Sequence, residues 1–239
     1  MGCGSSKQAD LMELAPARPG AGGGNQVERT MNRQEIVKNL GRVAANLDRQ
    51  RHEVRIVAVG GSINTVILRS RQATHDVDFF AEGLTRQQNQ VLQESTRQIA
   101  TQARPELPLD WLNSRTTLFI DQSIRQQLQQ DAIDQNAVLF SARGLTVYAA
   151  PWMYMFASKL DRIAGGGAGS SRGYDADDAY AYLEQHLNQT RQREITVDEI
   201  RTYLQRYRLD RISQQNMAAA CRQVNEAGQR QGRQALIHL

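Results

Sequence analysis

The chain has 239 residues, 40% of them hydrophobic and 23% charged, with a formal net charge of +4. That length holds one large or two small domains, and the basic balance suits acidic partners without a block of Lys or Arg that would mark a nucleic-acid footprint. No run approaches the roughly 18 apolar residues of a membrane span, the first residues lack the apolar stretch of a secretory signal, and two distant cysteines with four scattered histidines offer neither a disulfide framework nor zinc-ligand spacing.

The chain opens Met1-Gly2-Cys3-Gly4-Ser5-Ser6, which fits the acceptor pattern for N-myristoylation at Gly2. Cys3 stands beside that glycine as a candidate for palmitoylation. One acyl chain anchors only marginally and a second makes anchoring stable, so the pair predicts attachment to the cytoplasmic face of a membrane in a eukaryotic cell. Residues 15–25, APARPGAGGGN, cannot bury a core. Residues 1–30 are therefore expected to form a lipidated, flexible tether.

Apolar residues at Ile36, Val37, Leu40, Val43, Ala44 and Leu47 predict a helix over 33–47. Val54–Val59 reads as a strand running into Gly60-Gly61-Ser62, and a short helix follows with Ile63, Val66 and Ile67 on one side. A second strand is expected over Asp76–Phe80, then a long amphipathic helix over 84–103 and a third short strand at Leu109–Trp111. Residues 138–140 and 145–148 read as a hairpin around Ser141-Ala142-Arg143-Gly144. After Pro151 the pattern is helical, and Thr196 with Glu199 is a capping box that opens a helix through Ile200, Tyr203, Leu204 and Tyr207. The fold class predicted is α/β: a small mixed sheet over 31–150 and a helical region over 151–239.

Two groups of residues point to chemistry. Side chains alternate along a strand, so Asp76 and Asp78 share one face. Two like charges there repel unless a cation lies between them, and Mg²⁺ is held by one or two carboxylates together with substrate phosphates. Gly60-Gly61-Ser62 passes from strand to helix, where bare backbone N–H groups can approach an anion and Ser62 can add a hydroxyl. Each element alone is common: a D-x-D is often a solvated face and G-G-S often a turn.

Together, Gly61-Ser62, thirteen intervening residues and Asp76-Val77-Asp78-Phe79 resemble the nucleotidyltransferase signature. Thr74-His75-Asp76-Val77-Asp78-Phe79 is similar to the T-x-D-x-D form of the abortive-infection (AbiEii-like) and minimal nucleotidyltransferase branches. The resemblance implies a third carboxylate on a later strand, for which Asp110 between Leu109 and Trp111 is the candidate. It implies Mg²⁺ or Mn²⁺ on Asp76, Asp78 and Asp110, an NTP held by Gly60, Gly61, Ser62 and Lys159, and a protein, RNA or small-molecule acceptor. The alternatives are a catalytically silent adaptor on the same fold and, on the resemblance alone, a toxin or immunity-type effector.

Lys159 lies within the apolar stripe Trp152, Met155, Phe156, Leu160, Ile163. It is either aimed at a phosphate or snorkels to solvent. Arg172, Asp175 and Asp178 also fit the resembling pattern, although Asp175 suits a helix cap equally well. His75 is expected to face away from the metal and Tyr203 and Tyr207 to be core. The glycine-rich 164–171 lacks both the ending of a phosphate-binding P-loop and a preceding strand.

Overall fold

The structure, a computed structural model, describes residues 29–165 and 171–239. Gly2, Cys3 and most of the glycine-rich segment lie outside the described residues. The expected α/β architecture is present: a five-stranded mixed sheet and a helical C-terminal region.

A two-residue strand β1 (Met31–Asn32) leads into α1 (Arg33–Arg49), where Asn32 and Glu35 form a reciprocal capping box. The helical periodicity buries Ile36, Leu40, Val43, Ala44 and Leu47 on one face. β2 (Val54–Val59) then runs through the centre of the sheet, followed by α2 (Gly61–Val66). The next strands are β3 (Ala73–Thr74), which pairs antiparallel with β1, and β4 (Val77–Phe80). Asp76 stands just before the strand predicted to contain it.

Helix α3 (Arg86–Gln102) carries its own capping box, Thr85 with Gln88. The third strand falls one step later than predicted: β5 is Leu112–Asn113, and Leu109–Trp111 forms a turn closed by Trp111 N–H donating to Pro108 O. Trp111 is fully buried and its indole donates to Thr96 O, which fixes the turn against α3. Two 3₁₀ turns (Arg115–Phe119 and Gln122–Ile124) and α4 (Arg125–Gln135) follow.

The predicted hairpin is β6 (Val138–Ala142) and β7 (Leu145–Ala149). Gly144 in its turn has φ +88°, and a Cβ there would lie 2.5 Å from Ala44 O, so only glycine fits. The sheet order is β5-β4-β2-β7-β6, with β2 parallel to β7, antiparallel to β4, and β4 parallel to β5. The register aligns Val59, the last residue of β2, with Asp78 on β4. One end of the sheet therefore gathers the exit of β2 and the entries of β4 and β5.

The C-terminal region contains α5 (Trp152–Ile163), α6 (Asp175–Thr190), α7 (Val197–Arg206) and α8 (Gln214–Arg230). The capping box at Thr196 and Glu199 opens α7. Strand β8 (Ile195–Thr196) pairs in parallel with β9 (Ile237–His238), a contact with no periodic signal. Asn225 secures it, donating to Ile237 O at 2.8 Å and accepting from the N–H groups of Leu236 and Ile237. Buried side chains of the sheet and of α5–α8 belong to one continuous apolar cluster, so the helical region is packed on the sheet. Tyr207 is buried in it and Tyr203 packs against it, the rings stacked at 6.2 Å. Among the described residues no helix is long and apolar enough to cross a membrane.

Candidate functional site

Because Val59 faces Asp78, the chain leaving β2 at Gly60 emerges beside the paired aspartates. Gly60 has φ +68° with nothing within 4 Å of where a Cβ would stand, so the backbone is bare on that side. Gly61 is glycine for a different reason: a Cβ there would collide with Thr74 Oγ1. The turn is thus pressed onto the residue two before Asp76. Tyr182 of α6 donates its hydroxyl to Gly60 O at 3.1 Å and holds the turn from the other side.

Ser62 does not present a hydroxyl to a ligand. It is fully buried, and its Oγ donates to Val59 O at 3.3 Å, so its hydrogen bond is spent locally.

Asp76 and Asp78 are half-buried at this end of the sheet. Burial raises the pKa of Asp78 to about 6, with Asp76 adding repulsion. Burial also raises Asp76, and the Asp110 carboxylate adds to it. Partial relief comes from Asn113 and Arg115 for both, from Arg172 for Asp78, and from His75 for Asp76. His75 is exposed and acts on Asp76 electrostatically.

Asn113 and Arg115 are site residues that sequence reasoning did not single out. Asn113 pairs with Asp78 across β4 and β5. Its Nδ2 makes a long 3.5 Å contact to Asp76 Oδ2 and donates to Asp110 O at 3.2 Å, while its Oδ1 accepts from Arg115 N–H. An Asn-Ser pair after Trp-Leu reads as a turn in sequence, and only the strand register shows that the amide faces the aspartates. Asp110 lies in the turn before β5 rather than on a strand. Its carboxylate reaches Arg115 at 2.7 Å while still acting electrostatically on Asp76. Among the described residues no three His, Cys, Asp or Glu side chains come together as a metal-holding group.

Lys159 needs a correction. Its ammonium is neither aimed at the turn nor carried to solvent: it is 8% exposed and lies 2.6 Å from Asp175 and 2.8 Å from Asp178. Asp178 also receives Arg71 and the amide of Asn64. Asp175, fully buried, is the first residue of α6 rather than its cap: the cap position is Tyr174, which makes no side-chain cap bond. The Asp175 carboxylate instead accepts from Arg172 N–H at 2.9 Å and enters an ion pair. Burial pushes the Asp175 carboxyl up, but hydrogen bonds from Lys159 and Arg172 N–H, with the charges of Lys159 and Arg162, hold it below the usual range. Lys159, Arg71 and Arg162 thus surround two buried anions, and such pairing is the condition under which buried charges are tolerated.

Fold and site define a mixed α/β protein with a destabilised carboxylate pair at one end of its sheet. A family described as a domain of unknown function (DUF7582) matches residues 29–222, and the chain belongs to that family. No curated protein and no solved structure matches the chain.

Two predictions test this electrostatic picture. The folded pKa of Asp78 is raised, so between about pH 4 and 6 the native state binds more protons than the unfolded state, and stability falls as pH rises through that window. Asp78→Asn should therefore stabilise the metal-free protein by on the order of 2 kcal/mol at about pH 7.5, with the advantage fading below about pH 5 in chemical denaturation. An advantage that is equal at both pH values would refute the assignment. Lys159→Met should leave Asp175 and Asp178 buried without their shared cation and destabilise by about 3–5 kcal/mol. A melting temperature equal to that of the unmodified protein would show that the ammonium is free for other work.

Proposed function

We propose that the chain is a metal-dependent nucleotidyltransferase that moves a nucleoside monophosphate from an NTP to an acceptor. The observation that carries this reading is the half-buried Asp76–Asp78 pair beside the bare Gly60-Gly61 turn, within the electrostatic reach of Arg115 and Arg172. The residues fit a divalent cation, Mg²⁺ or Mn²⁺. Burial and mutual repulsion make ionised Asp76 and Asp78 costly, and a cation between them would relieve that cost. When bound, such a cation neutralises phosphate charge and lowers the pKa of an acceptor hydroxyl.

In the proposed reaction the acceptor oxygen bonds to the α-phosphorus. The bond from that phosphorus to the α–β bridging oxygen breaks, and pyrophosphate leaves with the electron pair. Asp76 and Asp78 hold the cation site, and Asn113 orients the two carboxylates. Asp110, released from Arg115, takes up the acceptor's proton. The Gly60-Gly61 backbone, Arg115 and Arg172 face the triphosphate. Ser62 and Lys159 contribute through the packing and ion pairing already described.

One observation favours a second reading, a catalytically silent nucleotide-binding adaptor. The residue opposite Asp78 on β5 is the amide Asn113, and Asp110 is drawn to Arg115. Protein, RNA and small molecules all remain candidate acceptors. We also propose that Gly2 and Cys3 are acylated and place the protein on the cytoplasmic face of a membrane in a eukaryotic cell.

Each α-radiolabelled NTP, incubated with the protein, Mg²⁺ or Mn²⁺ and cell lysate, should label a macromolecule. Asp76→Ala/Asp78→Ala should abolish the label. Metal-dependent NTP binding without transfer supports the adaptor, and neither binding nor transfer refutes both readings. In fractionated eukaryotic cells the full chain should sediment with membranes and Gly2→Ala should not; identical partitioning would remove the anchor from the account.

A further inference from the structure

Arg172 sits within electrostatic reach of both Asp76 and Asp78. Its guanidinium makes a 2.7 Å hydrogen bond from Nη1 to Tyr174 Oη, with the Tyr174 ring 5.9 Å away. An arginine whose charge acts on two carboxylates and which spends one donor on a tyrosine hydroxyl retains the other donors of its fork for an anion. Tyr174 is itself braced. Arg71 lies over its ring at 3.7 Å, and that same guanidinium is bonded to Asp178. Lys159, paired with Asp175 and Asp178, is 5.3 Å from the ring. The tyrosine is half out of the protein, 38% exposed, at the start of α6. A large side chain at that exposure, fixed through a cation–π contact to a buried ion cluster, is held in one place by interactions that do not involve its hydroxyl. The hydroxyl is thereby left to hold something else.

Resting on the nucleotidyltransferase reading, we propose that Tyr174 is a positioning residue: it holds the Arg172 guanidinium at the mouth of the aspartate site, ready for the polyphosphate of the incoming nucleotide. The chain of contact runs from Asp178 through Arg71 to the Tyr174 ring, and from the Tyr174 hydroxyl to Arg172. Loss of the hydroxyl frees the arginine without disturbing the ring or the ion cluster beneath it. The consequence is a change in nucleotide affinity separate from metal affinity and from stability, because Asp76 and Asp78 are untouched.

The test measures Mg²⁺–ATP and Mg²⁺–GTP binding by calorimetry, with Mg²⁺ alone and thermal melting as parallel readouts. Tyr174→Phe keeps the ring over Arg71 and removes only the hydroxyl. It should weaken nucleotide binding about 3- to 10-fold, the range of one ordinary net hydrogen bond. Melting temperature and Mg²⁺ binding should not change. Arg172→Ala should lose at least as much, and the double variant should be no weaker than Arg172→Ala alone, since both changes remove one device. Arg172→Lys, with Tyr174 left in place, should retain only part of the affinity, because an ammonium lacks the fork. Unchanged binding by Tyr174→Phe, or losses that multiply in the double variant, would overturn the proposal while leaving the enzyme reading intact. A native protein that binds neither nucleotide would overturn the enzyme reading and this proposal together.

Discussion

The buried ion cluster of Lys159, Asp175, Asp178 and Arg71 is the constraint on which the rest of the site depends. It joins α5, α6 and the segment between α2 and β3 at a single point. Breaking a buried pair by removing one partner costs about 3–5 kcal/mol, a large share of the roughly 5–15 kcal/mol by which domains are stable. The cluster therefore ties α5 and α6 to α2 and the segment after it, and none of its charged members can be removed singly without leaving a buried charge short of a partner. Asn64 brings α2 into the same cluster through Asp178, and α2 begins at the Gly60-Gly61 turn. Tyr182, one turn of α6 beyond Asp178, bonds Gly60 O directly. The turn that faces the aspartates is thus held by residues far away in sequence.

The sheet supplies the other half of the site through register. Because strands β2 and β4 are antiparallel and Val59 aligns with Asp78, the entry of β4 and the exit of β2 lie at the same edge. Thr74 packs where a Gly61 side chain would be, and its own strand is paired to Met31 near the start of the described residues. The approach to Asp76 is thereby clamped on both sides. A one-residue slip in the β2–β4 pairing would turn the face carrying Asp78 over.

Much of this is legible in the sequence. The i, i+3, i+4 pattern from Ile36 to Leu47, the β2 run and the Thr196–Glu199 capping box are local signals, and the structure places elements where they predict. What stays hidden is non-local. β1, β3, β8 and β9 are two residues long, too short to show any period, and exist because distant segments meet. α4 has only Leu128 and Ala132 buried along a glutamine-rich stretch, so no apolar stripe announces it. The apolar neighbours of Asp110 predict a strand, but Trp111 is buried by a turn against α3 and the strand starts after it. Lys159 is conspicuous as a cation in an apolar stripe, yet its partners lie across a glycine-rich stretch whose path cannot be read from composition.

Two groups of charges lie close together in this fold and are treated in opposite ways. The buried anions Asp175 and Asp178 are bonded at short range to Lys159 and Arg71, with Arg162 adding a third cation at 3.6 Å. At Asp76 one hydrogen-bond partner is an uncharged amide, Asn113, at a long 3.5 Å, while Arg115 is paired with Asp110 and Arg172 is bonded to Tyr174. A chain able to neutralise one pair of buried carboxylates so fully had the means to neutralise the other. Leaving Asp78 with a pKa of about 6 costs stability at neutral pH, a cost that protonation removes and that, on the proposed reading, a bound cation would also offset. The compensated cluster makes a rigid frame, and the uncompensated pair within that frame is where a ligand's binding energy can be used.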